Sequence, residues 1–403
     1  MNSTTFLAGQ PAAAPARLPR AARTALQALR GLRRGTLSLR LPDGSACSLG
    51  QGDPHGSIDV RSWDVFARVL ASGDIGLADS WVDGGWTTHD LPAALRVLVA
   101  NRDAIEDLVY GRWWSRLAAH VLHRLRRNSR AGSRRNIAAH YDLGNAFYAL
   151  WLDPTWNYSA ALFEGDPARS LPEAQRAKVR RALAAANVQP GDRVLEIGCG
   201  WGALAEMAVE EFHADVVGVT LSHEQLAHAQ ARLAGRADLR LQDYRDIDDG
   251  PFDAICSIEM VEAVGREYWP AYFGQVARLL KPGGRACIQS IVIDEALWPR
   301  YARGSDFIQQ CVFPGGCLPP PSLFEQHARA AGLVVQERFA FGADYARTLA
   351  LWRERFLAQR AAVAALGFDE RFVRLWDFYL AYCEVAFEQC NTDVIQYTLR
   401  KPR

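Results

Sequence analysis

A glycine-rich turn that directly follows a short apolar strand constrains the fold of this chain more than any other feature. Residues 193–202 read Arg-Val-Leu-Glu-Ile-Gly-Cys-Gly-Trp-Gly. The first half has the composition of a strand covered on both faces, and the glycines let the backbone turn sharply into a helix near Ala203. Glycine is needed where a ligand contacts the main chain, because a Cβ would hold the ligand away. The segment therefore predicts a strand–turn–helix unit with a ligand at the turn.

The spacing of these glycines indicates the kind of ligand. Dinucleotide enzymes use Gly-x-Gly-x-x-Gly to hold a pyrophosphate, whereas here the glycines alternate and a glutamate lies two residues ahead of them. This arrangement suits a ligand that has a cationic centre and no phosphate, and S-adenosylmethionine (SAM) is such a ligand. An ordinary turn in another α/β protein is the alternative. The predicted SAM turn contains Glu196, Gly198, Cys199, Gly200, Trp201 and Gly202.

Strands and helices alternate regularly after this turn, which predicts a parallel sheet with helices on both faces. We assign the fold class α/β: a class I SAM-dependent methyltransferase, Rossmann-like, with a mostly parallel seven-stranded sheet and an N-terminal, mainly helical domain. Ligands of open sheets lie beyond the carboxyl ends of the strands. The predicted strands are 193–198, 215–221, 239–243, 252–258, 284–293, 333–341 and 393–399. On the ribose and adenine side we expect Thr220, Leu221, Ser222, Gln225, Asp243 and Tyr244.

Composition divides the chain further. Residues 1–35 are rich in Ala, Arg and Pro and contain no acidic residue, which predicts a basic lead-in that is disordered or loosely helical. Residues 36–130 are expected to form the mainly helical, lipid-binding domain, which starts with a small hairpin, and residues 131–403 the catalytic domain. Within the latter, the insertion 299–321 is too apolar for a solvent loop. It either roofs a substrate tunnel or packs on the core.

Residues 112–135 contain eight arginines and no carboxylate. Trp113 and several apolar residues share one helical face there, as in a helix that lies on an anionic bilayer; a solvated linker helix is the equal alternative. The formal net charge of +1 and the lack of a suitable motif argue against nucleic acid as a partner. The chain also lacks an apolar run of membrane-spanning length, a signal-peptide core and a Cys-x-x-Cys pair. We expect a cytoplasmic protein at the inner face of the plasma membrane, without a metal, with a homodimer as the candidate assembly.

Residues 136–403 resemble the cyclopropane fatty acid synthase family, which includes the mycolic acid cyclopropane synthases. The resemblance covers some 260 residues, and its motifs occur in the family's order. The matching stretches are His140-Tyr141-Asp142, Gly144-Asn145, Tyr158-Ser159, the SAM turn, Gly218-Val219-Thr220-Leu221-Ser222 with Glu224-Gln225, Asp243-Tyr244-Arg245-Asp246, Phe313-Pro314-Gly315-Gly316, Tyr345 with Thr348-Leu349, and Tyr379-Leu380 with Cys383.

The resemblance implies that a carbon is transferred from SAM to the cis double bond of an acyl chain in a membrane phospholipid, giving a cyclopropane. Tyr158 and Ser159 would contact the methionine end of SAM. Methylation leaves a carbocation on the acyl chain, and a base must then remove a proton. In the family this base is understood to be a bound bicarbonate, in a polar cluster to which Glu262 and Tyr345 would belong. Cys383 matches a cysteine often assigned as active in the family.

The chain departs from the family at this cluster. Ala160 replaces the usual cysteine, Gln289 replaces a histidine, Ala263 follows Glu262 where the family has histidine, and Glu259 stands where glycine is usual. Bicarbonate is therefore an open assignment. Glu259 or Glu262 accepts the proton directly, or the cation loses a proton elsewhere and gives a methyl-branched or methylene chain, as a furan precursor would require.

Two hypotheses from other classes stay open at this point. The altered cluster is compatible with a protein that binds SAM and lipid but has lost catalysis. A methyltransferase for a small soluble metabolite would also contain the SAM turn, but it would have no use for the basic, tryptophan-containing segment.

Overall fold

The computed structural model describes residues 18–103 and 143–403, which fall into two compact units. The first holds residues 18–103 together with Arg374–Phe378, and the second holds the remainder. The predicted boundary near residue 130, the basic segment 112–135 and the His140-Tyr141-Asp142 match lie outside the described residues. Among the residues described, none of the helices has the length and apolar character needed to cross a membrane.

The first unit combines helices with a four-stranded sheet of order β2-β1-β3-β4. The predicted hairpin is present as β1 and β2, but β3 adds to it in parallel and β4 follows at the edge. Within the predicted lead-in, residues 20–29 form an ordered helix, because Ala22, Ala25 and Leu26 share one face and are buried. The elements are α1 Arg20–Leu29, β1 Gly35–Arg40, β2 Ala46–Gln51, β3 His55–Val60, α2 Asp64–Ser72, α3 Asp74–Val82, β4 Trp86–Thr87 and α4 Leu91–Ala100.

The second unit has the predicted mostly parallel seven-stranded sheet, in the order β10-β11-β9-β8-β5-β6-β7. Strands β9, β8, β5, β6 and β7 are parallel, and β11 runs antiparallel to both of its neighbours. The strands are β5 Arg193–Ile197, β6 Asp215–Thr220, β7 Asp238–Leu241, β8 Phe252–Ile258, β9 Leu280–Ile293, β10 Val334–Ala340 and β11 Thr392–Arg400.

Helices cover both faces of this sheet, and their ends follow local sequence signals. Ser170 and Glu173 form a capping box at the start of α6, and Ser222 caps α8. The predicted helix 345–365 is two helices, which divide at Gln359. The helices are α5 Asn145–Ala149, α6 Leu171–Ala185, α7 Ala203–Glu210, α8 His223–Leu233, α9 Val261–Val264, α10 Trp269–Leu279, α11 Trp298–Tyr301, α12 Pro321–Ala330, α13 Gly342–Ala358, α14 Arg360–Ala365 and α15 Glu370–Glu388.

The core of the second unit explains why its central strand is so apolar. Val194, Leu195 and Ile197 are fully buried, because helices pack on each side of β5. The insertion 299–321 contains a short π-helix at Ile308–Val312, and Phe307 next to it is fully buried. The insertion is thus packed rather than solvated, and its role as a substrate roof stays a prediction.

Candidate active site

A cavity lies at the carboxyl ends of β5, β6 and β8, where parallel strands were expected to form a pocket. Most of the predicted site residues meet there. Those in its lining are Tyr158, Ser159, Glu196, Gly198, Cys199, Gly200, Trp201, Thr220, Leu221, Gln225, Asp243, Tyr244 and Glu259. Five predicted site residues are absent from the lining that the described residues form: Gly202, Ser222, Glu262, Tyr345 and Cys383.

The glycines of the first turn have different functions. Gly198 has a φ of +86°, and a Cβ on it would lie 2.5 Å from Cγ of Met260. Gly200 has a φ of +51° and lines the cavity, and among the described residues no heavy atom would lie within 4 Å of its Cβ. A ligand can therefore approach the main chain at Gly200 directly.

Gly202 has a packing role that its motif does not reveal. It lies at the start of α7 with a φ of +86°, and a Cβ there would lie 3.0 Å from Cβ of Ala229 on α8. The third glycine therefore allows the close packing of two helices, and its contact with the cofactor stays a prediction.

Glu196 is an ionisable side chain of this turn that lines the cavity next to the glycines, and it is only 3% exposed. Its Oε2 atom has no hydrogen-bond partner among the described residues, although the residue lines the cavity. Burial raises the pKa of Glu196 to about 8, against the opposing effects of the Lys178 charge and the Ala205 amide. A buried carboxylate oxygen without a partner is costly unless a ligand satisfies it. The cationic methionine end of SAM fits this requirement.

The side of the cavity on which we expect the ribose and adenine is formed by residues at the ends of β6 and β7. The Thr220 hydroxyl donates to Oε1 of Gln225 at 2.9 Å, and both residues line the cavity. Ser222, which is not part of the lining, accepts from the Gln225 amide as the cap of α8. Asp243 lines the cavity and holds Arg245 through both of its oxygens.

Lys178 on α6 was missed by the sequence analysis. It is fully buried, and its Nζ donates to Oγ of Ser159 at 2.5 Å and to Oδ1 of Asn157 at 3.2 Å, two residues that line the cavity. Burial lowers the pKa of Lys178 to about 8, while the charge of Glu259 opposes this shift. One feature of the sequence could have pointed to Lys178: it is one of only three lysines in an arginine-rich chain.

The polar cluster is organised around Glu259, which follows β8. Its Oε1 accepts from the Ala160 amide at 2.9 Å and from Nε2 of Gln289 at 2.7 Å. Its Oε2 accepts from the Tyr345 hydroxyl at 2.7 Å. Burial raises the pKa of Glu259, and these three donors counteract the increase. The cluster that the resemblance assigns to bicarbonate therefore contains a carboxylate of the chain itself.

The backbone at Glu259 explains why glycine is usual at this position. Its φ is +52°, a left-handed conformation that glycine adopts freely and that costs other residues about 1–3 kcal/mol. A glutamate persists there only if the surrounding contacts hold it, and the three donors to its carboxylate do so.

Glu262, on α9, is not part of the cavity lining to which Glu259 belongs. Its Oε1 accepts from the Ile291 amide, and its Oε2 has no partner among the described residues. Burial, and after it the charge of Glu259, raises the pKa of Glu262 to about 8. Because Glu259 lines the cavity and Glu262 does not, Glu259 is the better placed of the two as a base.

Cys383 lies on α15, outside the cavity lining. Burial raises the pKa of its thiol, whereas thiol nucleophiles need a lowered pKa. Its predicted catalytic role therefore finds no support in its surroundings.

The comparisons with known proteins agree with this geometry. The family model "Mycolic acid cyclopropane synthetase" matches residues 128–397. The tuberculostearic acid methyltransferase UfaA1 of Mycobacterium tuberculosis is 38% identical over 397 residues, which cover 94% of this chain and 92% of that protein. The cyclopropane-fatty-acyl-phospholipid synthase of Escherichia coli is 36% identical over 342 residues, with 83% of this chain and 85% of the relative covered.

The chain belongs to the mycolic acid cyclopropane synthetase family. Its fold also matches the solved structure of the mycolic acid cyclopropane synthase CmaA1, which contains SAH and CTAB, with a TM-score of 0.63 and 34% identity over 66% of this chain and 98% of that one. Membership makes the protein a SAM-dependent C-methyltransferase that acts on unsaturated acyl chains. The hypotheses of a lipid binder without catalysis and of a metabolite methyltransferase are set aside accordingly.

The two glycines provide a direct test of the SAM site. Gly200→Ala should lower the affinity for SAM at least tenfold, about 1.4 kcal/mol, because its Cβ enters the cavity. Gly202→Ala should instead destabilise the fold by about 1–3 kcal/mol, because of its positive φ and the contact with Ala229, and should leave SAM affinity near that of the wild type. Isothermal titration calorimetry and thermal unfolding measure both effects. Unchanged SAM affinity in Gly200→Ala would remove this turn from the cofactor site.

Proposed function

We propose that this enzyme methylates the cis double bond of an acyl chain carried by a membrane phospholipid, and that Glu259 removes the proton that completes the reaction. The observation that carries this proposal is the Glu259 carboxylate, buried beside the SAM cavity and held by Ala160, Gln289 and Tyr345. When bound, SAM supplies an electrophilic methyl carbon on its sulfonium.

The residues around the cavity suit an uncharged nucleophile. The alkene π electrons form the new carbon–carbon bond as the methyl–sulfur bond breaks, and the neighbouring chain carbon becomes a cation. Tyr158, whose hydroxyl lies 2.9 Å from that of Tyr379, provides an aromatic face at the cavity, and Trp352 packs against the same ring. Aromatic faces and a carboxylate stabilise a cation in a site from which water is excluded.

Glu259 then accepts a proton, and the electrons of the broken C–H bond neutralise the cation. If these electrons close a bond to the cationic carbon, the product is a cyclopropane. Alternatively, a hydride first shifts from the methylated carbon to the neighbouring cationic carbon. If the proton then leaves the new methyl group, the product is an open acyl chain that carries a =CH2 group. Both routes leave the same atoms on the lipid, and neither needs a reductant. A saturated methyl branch would need an additional reductant.

We favour the methylene product. UfaA1, which is named a methyltransferase, covers 94% of this chain, whereas the synthase from Escherichia coli covers 83% and cyclopropane mycolic acid synthase 1 covers 66%. The cyclopropane is the second candidate, because those two relatives are 36% and 38% identical and are named for ring formation.

The name of the relative from Escherichia coli and the composition of residues 112–135 support the proposed phospholipid substrate. An enzyme whose substrate is held in a bilayer needs to dock on that surface, and a segment with tryptophan and arginine suits an anionic one. We therefore propose peripheral binding at the inner face of the plasma membrane. The homodimer stays a prediction.

Glu259→Gln should lower the rate of methylated-lipid formation at least about a hundredfold, because an amide of the same shape cannot accept the proton. SAM affinity should change less than twofold. The exposed Glu354 on α13 offers a control, and Glu354→Gln should behave as the wild type. Glu262→Gln discriminates between the two buried carboxylates and should lose less than tenfold. A Glu259→Gln enzyme with wild-type turnover would refute the proposed base.

The product and substrate can be tested in one assay with labelled SAM and vesicles of an anionic phospholipid that carries cis-monounsaturated chains. We expect lipid that has gained one carbon and two hydrogens, with the olefinic NMR signals of a terminal methylene, and slower turnover at high salt because surface attraction is screened. Ring-proton signals would instead establish the cyclopropane product. A parallel assay contains free unsaturated fatty acid in place of the vesicles. If the free acid is labelled and the vesicle phospholipid is not, the proposed phospholipid substrate is contradicted.

A further inference from the structure

Two buried glutamines face each other across the sheet behind Glu259. Gln289 on β9 and Gln396 on β11 are directly paired in the antiparallel register, and both are fully buried. A primary amide has two donor hydrogens and one acceptor oxygen, and all of these groups must find partners in a protein interior. Which way each amide points is therefore determined by what surrounds the pair.

A continuous series of hydrogen bonds passes through the pair to Glu259. Arg181 on α6 donates from its guanidinium to Oε1 of Gln396 at 2.7 Å. Gln396 donates from Nε2 to Oε1 of Gln289 at 3.0 Å, and also to the Lys178 carbonyl at 3.2 Å. Gln289 in turn donates from Nε2 to Oε1 of Glu259 at 2.7 Å.

The direction of this series is set at Gln396. The Arg181 guanidinium has donors only and the Lys178 carbonyl only accepts, so that Gln396 must present its oxygen to Arg181 and its amide nitrogen to the Lys178 carbonyl and to Gln289. Gln289 must then present its oxygen to Gln396 and its nitrogen to Glu259. Arg181 is itself fixed, because it pairs with Glu337 at 2.8 Å and lies over the Phe339 ring at 3.7 Å.

We propose that Arg181, Gln396 and Gln289 form a relay that keeps an amide donor pointed at Glu259 and so holds this carboxylate as the proton acceptor. The inference rests on the proposed function, in which Glu259 is the base. The three relay residues act through Glu259, and they are positioning residues rather than catalytic ones.

Other groups also act on Glu259, and each comes from a different element. The Tyr345 hydroxyl on α13 donates to it, Lys178 on α6 faces it as a buried cation, and the Glu262 carboxyl on α9 couples to it through their charges. Burial raises the pKa of Glu259, whereas the donors and the lysine lower it. Loss of the Gln289 donor raises this pKa further, because that donor stabilises the charged form. The base form then requires a higher pH.

The pH dependence of kcat tests the relay, measured from pH 5 to about pH 9 on vesicles of the unsaturated phospholipid. In Gln396→Glu, position 396 becomes an acceptor toward both neighbours, so that Gln289 must turn its nitrogen away from Glu259. The acidic limb of the profile should move to higher pH by about one unit, equal to a tenfold lower kcat on that limb, with recovery at high pH.

Two substitutions at Arg181 test the donor end of the relay. Arg181→Met removes the donor together with its positive charge and should move the limb in the same direction, whereas Arg181→Lys keeps both the charge and a donor and should leave the limb in place. Because the Arg181 side chain is partly exposed, we expect its variants to fold. They therefore test the relay even if Gln396→Glu fails to fold. An unmoved limb in folded Arg181→Met, or a uniform loss of kcat at every pH, would overturn the relay.

The outcome also distinguishes this inference from the proposed function. An unmoved limb together with an inactive Glu259→Gln enzyme refutes the relay alone. An active Glu259→Gln enzyme refutes the base, and with it the premise of the relay.

Discussion

The active site depends on one buried carboxylate. Glu259 receives the Ala160 amide, the Gln289 amide and the Tyr345 hydroxyl, and this set of donors counteracts the desolvation of the charge and holds the left-handed backbone on which the residue stands. A negative charge left in this place without donors would cost several kcal/mol and would be neutralised by a proton instead. In the proposed mechanism this carboxylate takes the place of the bound bicarbonate that the family resemblance implies. The replacement of the usual cysteine and histidine would then be an exchange of one base for another.

The sheet brings these groups together from distant parts of the chain. Parallel strands β5, β6 and β8 end at one edge, which places the Glu196 turn, Thr220 and Glu259 around a common cavity. The antiparallel strand β11 contributes from behind, because its register places Gln396 opposite Gln289. The same packed sheet thus positions the glycine turn and Glu259 at one cavity.

Most of the second unit was predictable, because burial on both faces leaves a plain apolar signature and the glycine turn has few interpretations. The strands of the sheet occur at their expected places in the chain. The packing of Gly202 on α8 and the capping of α8 by Ser222 could not be predicted, because a motif does not show which of its members also pack or cap a helix. Lys178 and Gln396 were missed, since their roles arise from cross-sheet contacts that no local pattern encodes. In the first unit, two of the four strands were missed. Strand β4 has only two residues, and β3 joins the hairpin through a parallel pairing with β1 that no local pattern encodes.

The central claim is that this chain carries its own base. The most direct measurement is the rate of lipid methylation in carefully decarbonated buffer, with and without added bicarbonate. If Glu259 accepts the proton, the wild-type rate is the same in both. If the rate falls when bicarbonate is removed and recovers when it is returned, bicarbonate from solution is the base. That result would contradict the proposal that Glu259 accepts the proton.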